Sequence, residues 1–210
     1  LIAVCSVLFI SQSMLSLAND KPNILFISID DLRPELGCYG AKHIISPNID
    51  SLAKKGIIFD RAYCQMAICM GSRKSLMSGY RPTFGNQMYD RGPLKDNIPD
   101  ALTLNQHFQD NGYETVNIGK IYHDSGDDKG WTRNFRDIKG PWGSKGYTKA
   151  ESQKIDAEAK LHGGKGPPFE VVNADDNGCQ AGAFAQKAIE ELSSIKAVSY
   201  THLTLPTSYA

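Results

Sequence analysis

The sequence predicts an α/β protein with a mixed, mostly parallel sheet that is sandwiched by helices and is incomplete within this chain. Strand-like and helical segments follow one another in the order strand, helix, strand, helix, strand, an alternation that builds such sheets. The composition is globular, with 41% hydrophobic and 22% charged residues among 210. Basic and acidic side chains balance at 23 each, which gives no support for nucleic-acid binding.

The first three elements are predicted from apolar runs and from helix boundary signals. Residues 23–29, "NILFISI", are almost continuously apolar, which predicts a central strand buried on both faces. A helix is predicted after Ser46, with Pro47 at its first position and Gly56 at its end. Residues 57–63, "IIFDRAY", are predicted to form the second strand.

Two further helices and a third strand follow. A short helix is predicted over residues 72–78, with Gly79 ending it. Another is predicted from Thr103, with Gly112 as its stop, and residues 113–119 form the third predicted strand.

The second half of the chain is predicted to be a long surface excursion followed by one amphipathic helix. Gly, Asp, Lys and Pro dominate residues 122–177, which indicates loops. The helix is predicted over residues 181–195. Its apolar face is predicted to comprise Phe184, Ala188, Ile189 and Leu192.

Both ends of the chain carry segments that are predicted not to belong to the mature fold. Residues 1–18 have the apolar run and small terminal residues of a signal peptide whose start is truncated. The run is too short to span a bilayer, so we expect a secreted or periplasmic protein, lysosomal in a eukaryote, with no membrane association after cleavage. Residues 197–210 match the translation of a sequencing adapter and are predicted not to be native.

The cysteines do not indicate a disulfide scaffold or a structural zinc site. Only four of the five lie outside the predicted signal peptide, and they are scattered. Cys64 and Cys69 lack the second pair of ligands that a structural zinc ion needs. The phosphatase spacing, an arginine six positions after the cysteine, is also absent, because Ser75 stands there after Cys69.

Polar side chains with distinct chemistry follow each predicted strand. Ligands of open α/β sheets bind at the carboxyl ends of the strands. The residues in question are Asp30 and Asp31 after the first strand, Cys69 and Arg73 after the second, and Lys120 and His123 after the third.

Each pair admits a functional and a structural interpretation. Asp30 and Asp31 offer the hard oxygen donors that Ca²⁺ or Mg²⁺ prefers, or they form a solvated turn in which Asp31 caps a short helix. Cys69, at a helix start and near Arg73, is placed for thiolate chemistry, or it is a packing residue among apolar neighbours.

After the third strand, Lys120 offers an ammonium group that would hold an anion, and His123 an imidazole that would move a proton. Taken singly, either is equally consistent with an ordinary surface residue. Their convergence with the other pairs on one sheet edge favours a functional site.

Four motifs carry a resemblance to a known family. They are "NILFISIDDLRPELGCYG" (23–40), "SPNIDSLAKKGIIFDRAYCQMAIC" (46–69), "SRKSLMSGYRP" (72–82) and "NGYETVNIGKIYH" (111–123). In this order they resemble the N-terminal half of the type I sulfatases, closest to the iduronate-2-sulfatase-like group, in the alkaline phosphatase superfamily. The resemblance implies an alkaline phosphatase-like fold and makes residues 19–196 the N-terminal part of a sulfatase catalytic domain.

The resemblance also implies roles for individual residues. Cys69 stands where these enzymes carry the cysteine that a maturation enzyme oxidises to formylglycine, which is both nucleophile and metal ligand. Asp30 and Asp31 align with Ca²⁺ ligands. The cations that hold formylglycine and sulfate align with Arg73 and Lys120, and His123 aligns with the histidine that helps the hydrate collapse.

One residue departs from the family pattern. The maturation signal usually has proline two positions after the cysteine, where this chain has Gly71. The sequence therefore predicts a calcium-dependent hydrolase of sulfate esters on carbohydrates, whose conversion by the formylglycine-generating enzyme is weakened. The alternatives are a phosphoryl-transfer hydrolase of the same superfamily and, if Cys69 stays unconverted, a non-catalytic binder of sulfated glycans.

Overall fold

A four-stranded parallel sheet forms the framework of the protein. The computed structural model describes residues 21–123, 129–138, 147–173, 175–194 and 201–206. The strands are β1 (Ile24–Ser28), β2 (Glu114–Ile118), β3 (Arg133–Phe135) and β4 (Thr201–Pro206). Their order is β1-β4-β2-β3, and every neighbouring pair is parallel. The predicted α/β class with a parallel sheet is therefore confirmed.

Six α-helices and two 3₁₀ helices are present in the described part of the chain. The α-helices are α1 (Pro47–Lys55), α2 (Cys69–Ser78), α3 (Leu94–Asn97), α4 (Leu104–Asp110), α5 (Ala150–Leu161) and α6 (Gln180–Ser194). The 3₁₀ helices are Gly37–Tyr39 and Asp176–Gly178. Within these ranges, no helix has both the length and the apolar character needed to cross a bilayer.

The end of α2 and the start of α4 agree with the sequence prediction. Gly79 follows α2 with φ 74°, a left-handed conformation that glycine adopts without strain, and its amide donates to the carbonyl of Ser75. Thr103 precedes α4, and its amide donates to the side chain of Gln106 at 3.3 Å. The start of α2 differs, because the helix begins at Cys69, three residues before the predicted range and without a side-chain cap.

The main apolar core lies between β2 and α6. Val116 and Ile118 project from alternate positions of β2 and pack against Phe184 and Ala188. The predicted apolar face of α6 is only half right, because Ile189 and Leu192 are 58% and 43% exposed. Glu191, one residue before Leu192, is buried instead, because its charge is paired with cations.

Glu191 occupies the buried stripe of α6 in place of an apolar residue. It is only 5% exposed. Its carboxylate pairs with Arg133 of β3 and, at 2.8 Å, with Lys187 one turn earlier on the helix. Two cations compensate the buried charge, which allows Glu191 to lie on the buried face of α6.

The prediction that β1 is buried on both faces is wrong. Leu25 and Ile27 are 48% and 47% exposed, whereas the alternate residues of the strand are half-buried. β1 lies at the edge of the sheet, and the described helices leave one of its faces open.

The predicted strand over residues 57–63 is also wrong. These residues form an irregular, exposed segment, with Ile57, Phe59 and Tyr63 at 82%, 68% and 81% exposure. An apolar, β-branched sequence indicates compatibility with a sheet, but a strand needs a hydrogen-bonded partner. Both edges of β2 are taken by β3 and β4, and no described strand pairs with residues 57–63.

The excursion predicted for residues 122–177 contains two elements that the sequence did not reveal. One is β3, which is only three residues long. The other is α5, whose residues are all at least partly exposed, so it lacks the apolar stripe that identifies a helix in a sequence.

The structure treats differently the two end segments that are predicted to lie outside the mature fold. The predicted signal peptide, residues 1–18, lies outside the described residues. Within residues 197–210, β4 occupies the position between β1 and β2. A run rich in Thr and Leu has strand propensity whatever its origin, and its assignment to adapter sequence remains a prediction.

Candidate active site

Helix α2 carries the central residue of the candidate site. Met70, Arg73 and Met77 recur at helical spacing and are buried, so α2 faces inward along this line. The guanidinium of Arg73 donates from Nη1 to the carbonyl oxygens of Lys120 and Ile121 at 2.6 and 3.0 Å. Arg73 thereby binds the segment that follows β2.

Asp30 joins Arg73 and Lys120 in one ionic cluster at the end of β1. Its Oδ1 accepts from Arg73 Nη2 at 2.7 Å, and its Oδ2 accepts from Lys120 Nζ at 2.6 Å. The side chains of Asp30, Arg73 and Lys120 are 9%, 7% and 24% exposed. In these contacts two cations share one carboxylate, so the three side chains taken together carry one net positive charge, which suits an anionic ligand.

The electrostatics of the cluster keep Asp30 ionised. Burial alone would raise the pKa of Asp30, but hydrogen bonds from Lys120 and Arg73, together with their charges, lower it below its ordinary value of 3.8. The carboxylate is therefore charged throughout the neutral and mildly acidic range.

Cys69 is the first residue of α2 and is half-buried. Ile68 precedes it in an extended conformation and provides no side-chain cap, so the amide groups of the first turn have no intrahelical acceptor. Arg73 follows four residues later, one turn along the same side of the helix. This arrangement places residue 69 next to the positive cluster.

Asp31 follows Asp30 directly and is exposed, with φ 57°. A left-handed conformation is uncommon for residues other than glycine, although aspartate adopts it more readily than most. Within the described ranges, no group of three or more His, Cys, Asp or Glu side chains comes together as a metal cluster. Ca²⁺ takes six to eight oxygen ligands, so Asp30 and Asp31 fit it as part of a coordination shell.

His123 lies three residues after Lys120 and is half-buried. Its carbonyl oxygen accepts from Arg136 Nη2 at 3.0 Å. Of the predicted site residues, the structure brings Asp30, Arg73 and Lys120 into direct contact. The other three are connected to this cluster through the chain, Asp31 and His123 by sequence proximity and Cys69 by helix α2.

A sulfatase family model matches residues 22–199 of this chain. The chain belongs to the sulfatase family. Its relatives include the iduronate 2-sulfatases of Mus musculus, 44% identical over 107 residues, and of Homo sapiens, 40% identical over 114 residues. These matches cover 50% and 54% of this chain but only 19% and 20% of the relatives, so the matched region spans about a fifth of their length.

Solved structures support an alkaline phosphatase-like fold for this member of the sulfatase family. A structure described as a 2-O GAG sulfatase is similar with a TM-score of 0.58 and 25% identity, over 89% of this chain and 35% of that one. The phosphonate monoester hydrolase of Agrobacterium radiobacter has a TM-score of 0.62 at 17% identity, over 89% and 41% of the two chains. The second likeness shows the fold alone, and together they confirm the predicted alkaline phosphatase-like fold.

Lys74 has a structural role that was not predicted from the sequence. It is 3% exposed, and its Nζ donates to the carbonyl of Asp90 at 2.9 Å and to Asn97 Oδ1 at 2.7 Å. Lys74 thus fixes the segment before and within α3 against the helix that carries Arg73. The available signal was its spacing, since it lies four residues after Met70 and three before Met77.

A second missed group supports the turn that carries Lys120. Tyr122 donates from its hydroxyl to Asn105 Oδ1 at 2.9 Å, and Asn105 Nδ2 donates to the carbonyl of Lys129 at 2.8 Å. Tyr122 and Asn105 are 2% and 0% exposed. No local pattern distinguishes a buried asparagine in a helix from an exposed one, so the sequence carried no signal for this contact.

Proposed function

We propose that the protein to which this chain belongs hydrolyses sulfate esters of carbohydrates through a formylglycine derived from Cys69. The observation that carries the proposal is the Asp30, Arg73 and Lys120 cluster, positively charged and largely buried, beside residue 69 in a member of the sulfatase family. The iduronate 2-sulfatase names of the relatives favour a sulfated uronic acid within a glycosaminoglycan as the substrate.

Different residues of this chain would bind the sulfate group and compensate its charge. Arg73 and Lys120 offer donors to sulfate oxygens while Asp30 holds both cations in place, which is the preorganised electrostatic arrangement that stabilises charge in a transition state. Residue 69, once oxidised and hydrated, would supply a diol with one oxygen to attack sulfur and a second to expel the sulfate. We assign to His123 the role of the base that accepts the proton of that second hydroxyl.

Calcium is the metal that Asp30 and Asp31 would help to hold. When bound, it would supply positive charge that neutralises the transferred group. Each carboxylate oxygen has two lone pairs, so Asp30 could bind a metal while it still accepts from Arg73 and Lys120. Substrate binding by the two cations and metal binding by the carboxylates are therefore compatible.

The deciding experiment combines mass spectrometry with turnover on the full-length protein. A peptide spanning Cys69 is expected to show an aldehyde, and the protein is expected to release sulfate from a 2-O-sulfated uronate disaccharide. Phosphate release from the matched phosphate ester, faster than sulfate release, would instead indicate a phosphoryl-transfer hydrolase. High sulfatase activity with no aldehyde would contradict the proposed mechanism, and binding without turnover would indicate a glycan-binding protein.

The calcium assignment has its own test. We expect Asp31→Ala in the full-length protein to abolish turnover chiefly by loss of the metal, because one of few hard ligands is removed. Bound calcium, measured by elemental analysis, should fall together with activity. Asp110→Ala, at an exposed site in the last turn of α4, is the control and should change neither. Unchanged calcium and activity in Asp31→Ala would refute the assignment.

The export of the protein is inferred from the signal-peptide pattern of residues 1–18. N-terminal sequencing of the secreted or periplasmic protein is expected to begin at Asn19. A mature protein that retains residues 1–18 would contradict this inference.

A further inference from the structure

Residues 120–123 follow β2 and are anchored from several sides. Three of their backbone carbonyls accept hydrogen bonds from arginine side chains, two from Arg73 and one, that of His123, from Arg136. Tyr122, directly before His123, is held through its side chain, which donates a hydrogen bond to α4. The segment therefore takes its position from α2 on one side and from α4 on the other.

The hydroxyl of Tyr122 fixes how deeply its ring lies in the core. The ring packs with Met77 and Ile121, but apolar packing is not directional. The hydroxyl donates to Asn105 Oδ1 at 2.9 Å, and Tyr122 and Asn105 are 2% and 0% exposed. Because a hydrogen bond prefers a narrow range of distances and angles, this contact restricts the position of the ring and of the backbone that carries it.

The side-chain amide of Asn105 is itself held in one orientation. Its Nδ2 donates to the carbonyl of Lys129 at 2.8 Å. A carbonyl can only accept, so the NH₂ group faces Lys129 and the amide oxygen faces Tyr122. The close approach of the two segments uses Gly130, where a Cβ would come within 2.9 Å of Asn105 Nδ2. Asn105 thus gives Tyr122 a fixed reference point on α4.

Lys120 depends less on this hydrogen bond than His123 does. The carbonyl of Lys120 accepts from Arg73, and its Nζ donates to Asp30 at 2.6 Å. These contacts lie on the side of the ionic cluster and do not involve α4. Loss of the Tyr122 hydroxyl should therefore leave the ammonium group in place and loosen the backbone at His123.

We propose that Asn105 is a positioning residue that acts through Tyr122 to hold His123 in place for proton transfer. The proposal rests on the proposed function, because that function makes His123 the base. Asn105 would not touch the substrate, since its side chain is buried and its two polar atoms bind Tyr122 and Lys129. Misplacing a reacting group by about 1 Å can lower a rate about a hundredfold, so this contact affects turnover as well as stability.

Tyr122→Phe tests the proposal, because it removes the hydroxyl and keeps the ring. In the full-length protein, kcat for a 2-O-sulfated uronate disaccharide is expected to fall about tenfold, while KM changes by less than about twofold. Lys120, which would hold the sulfate, keeps its own contacts, whereas His123 loses its reference to α4. A higher KM with an unchanged kcat, or no change in either constant, would overturn the proposal.

Thr115→Val is the matched control for loss of stability. Thr115 is 0% exposed, and its hydroxyl donates to the carbonyl of Gly130 at 2.7 Å. This variant therefore also loses a buried hydroxyl, but one that does not bind residues 120–123. We expect both variants to unfold at lower urea concentrations than the natural protein, and kcat to fall only in Tyr122→Phe. An equal fall of kcat in the two variants would overturn the proposal.

A double-mutant cycle tests whether Asn105 acts through Tyr122. Asn105→Ala removes the acceptor of the hydroxyl and is expected to lower kcat about tenfold, as Tyr122→Phe does. Because the two residues would act as one unit, Asn105→Ala/Tyr122→Phe should lose no more than either single variant. Losses that multiply to about a hundredfold in the double variant would show two independent effects and overturn the proposal.

A measurement without turnover separates failure of this proposal from failure of the proposed function. Diethyl pyrocarbonate acylates accessible imidazoles, and mass spectrometry follows its reaction with half-buried His123 relative to exposed His43 and His162. The His123 rate should be at least about threefold higher in Tyr122→Phe than in the natural protein or Thr115→Val, because the segment opens more often. This result supports the positioning even if no sulfate is released, in which case the proposed hydrolysis alone fails. Equal rates in all three proteins would overturn the positioning.

Discussion

Arg73 connects three separate parts of the chain through one guanidinium group. It binds the carboxylate of Asp30 after β1 and two carbonyl oxygens after β2, while its own backbone belongs to α2. A rigid fork of donors is suited to this task, and lysine would not make the same set of bonds. Together with the packing of Met77 against Ile121 and Tyr122, this side chain fixes the position of α2, and so of residue 69, relative to the two strand ends.

The ionisation of Asp30 makes the free energy of unfolding depend on pH in the acidic range. Its folded pKa lies below its ordinary value of 3.8, so its ion pairs contribute fully above about pH 4 and are lost as pH falls through the folded pKa. We expect Asp30→Asn to cost about 3 kcal/mol at pH 7, because buried Arg73 loses its charged partner. The difference from the natural protein should shrink below pH 4.

Urea unfolding of the full-length protein between pH 7 and pH 3 measures this effect. Asp110→Asn, at an exposed site, is the control and should show no pH-dependent difference. A constant difference between Asp30→Asn and the natural protein over the whole range would mean that Asp30 is not the linked group.

Gly71, the third residue of α2, leads to a prediction about maturation. A proline at position 71 would fix φ near −65°, as in the family signal. Because amides of the first helical turn have no intrahelical acceptor, the proline would remove no helical hydrogen bond. A Cβ at residue 71 would approach Met66 Sδ to 2.5 Å, so this flexible side chain must move. We expect partial conversion of Cys69 in the natural protein, and a higher aldehyde fraction and activity in Gly71→Pro.

Gly71→Ala is the matched control, because it adds the same Cβ against Met66 without fixing φ. Its aldehyde fraction should stay near that of the natural protein, as measured by mass spectrometry of the peptide that contains Cys69. Complete conversion of the natural sequence would show that Gly71 does not weaken maturation.

Among the elements, α2 and α4 were predictable because their boundaries are local. Gly79 and Thr103 act within a few residues of the helices that they delimit. The segment 57–63 was not predictable in the same way, because a strand depends on a partner elsewhere in the chain. Likewise, the exposed helix α5 has no periodic stripe for the sequence to show.

Three of the six predicted site residues, Asp30, Arg73 and Lys120, lie together in the structure, but their contacts were not predictable. The rule that ligands bind beyond parallel strand ends singled out Asp30 and Lys120. Their shared bonds with Arg73 depend on how α2 packs against the turn after β2, which no local pattern encodes. The contacts of Lys74 depend on the same packing.

Glu170 caps α5 from outside the helix. Its carboxylate accepts from the Thr148 amide and hydroxyl at 2.7 and 2.6 Å and from the Lys149 amide at 2.9 Å. Desolvation would raise the pKa of Glu170, but these hydrogen bonds outweigh it and lower the pKa to about 2. The cap is therefore complete above its ordinary pKa of 4.5 and persists until pH falls toward 2.

We expect Glu170→Ala to loosen the start of α5, because the amides of Thr148 and Lys149, which lead into the helix, lose their acceptor. Amide hydrogen exchange of Thr148 and Lys149 in the full-length protein should become at least tenfold faster at pH 5. Glu158→Ala, on the exposed surface of the same helix, is the control and should leave exchange unchanged. Equal exchange rates in Glu170→Ala and the natural protein would refute the cap.

At the scale of the whole molecule, the described chain exposes much apolar surface. Phe84 is 92% exposed, and Ile57 and Phe59 are 82% and 68% exposed. β1 is an edge strand with one open face. Surface of this kind in a soluble protein is normally covered by other protein.

We therefore expect the 210-residue chain, expressed alone, to be inactive and to lack a cooperative thermal transition. Its open apolar surface should bind a hydrophobic dye more strongly than the full-length protein does. Calorimetry and dye fluorescence on both proteins measure this difference. A sharp transition accompanied by sulfate release from the shorter chain would contradict the expectation.

The contacts of Arg73 also have a consequence for the timing of biosynthesis. Its partners after β2 begin at Lys120, which is synthesised 51 residues after Cys69. At about 5–20 residues per second, this delay lasts roughly 3–10 s, during which Arg73 lacks its carbonyl partners after β2, although Asp30 is already synthesised. If a maturation enzyme binds residues 69–73 in a flexible form, it would have at least these seconds to act before the bonds of Arg73 are complete.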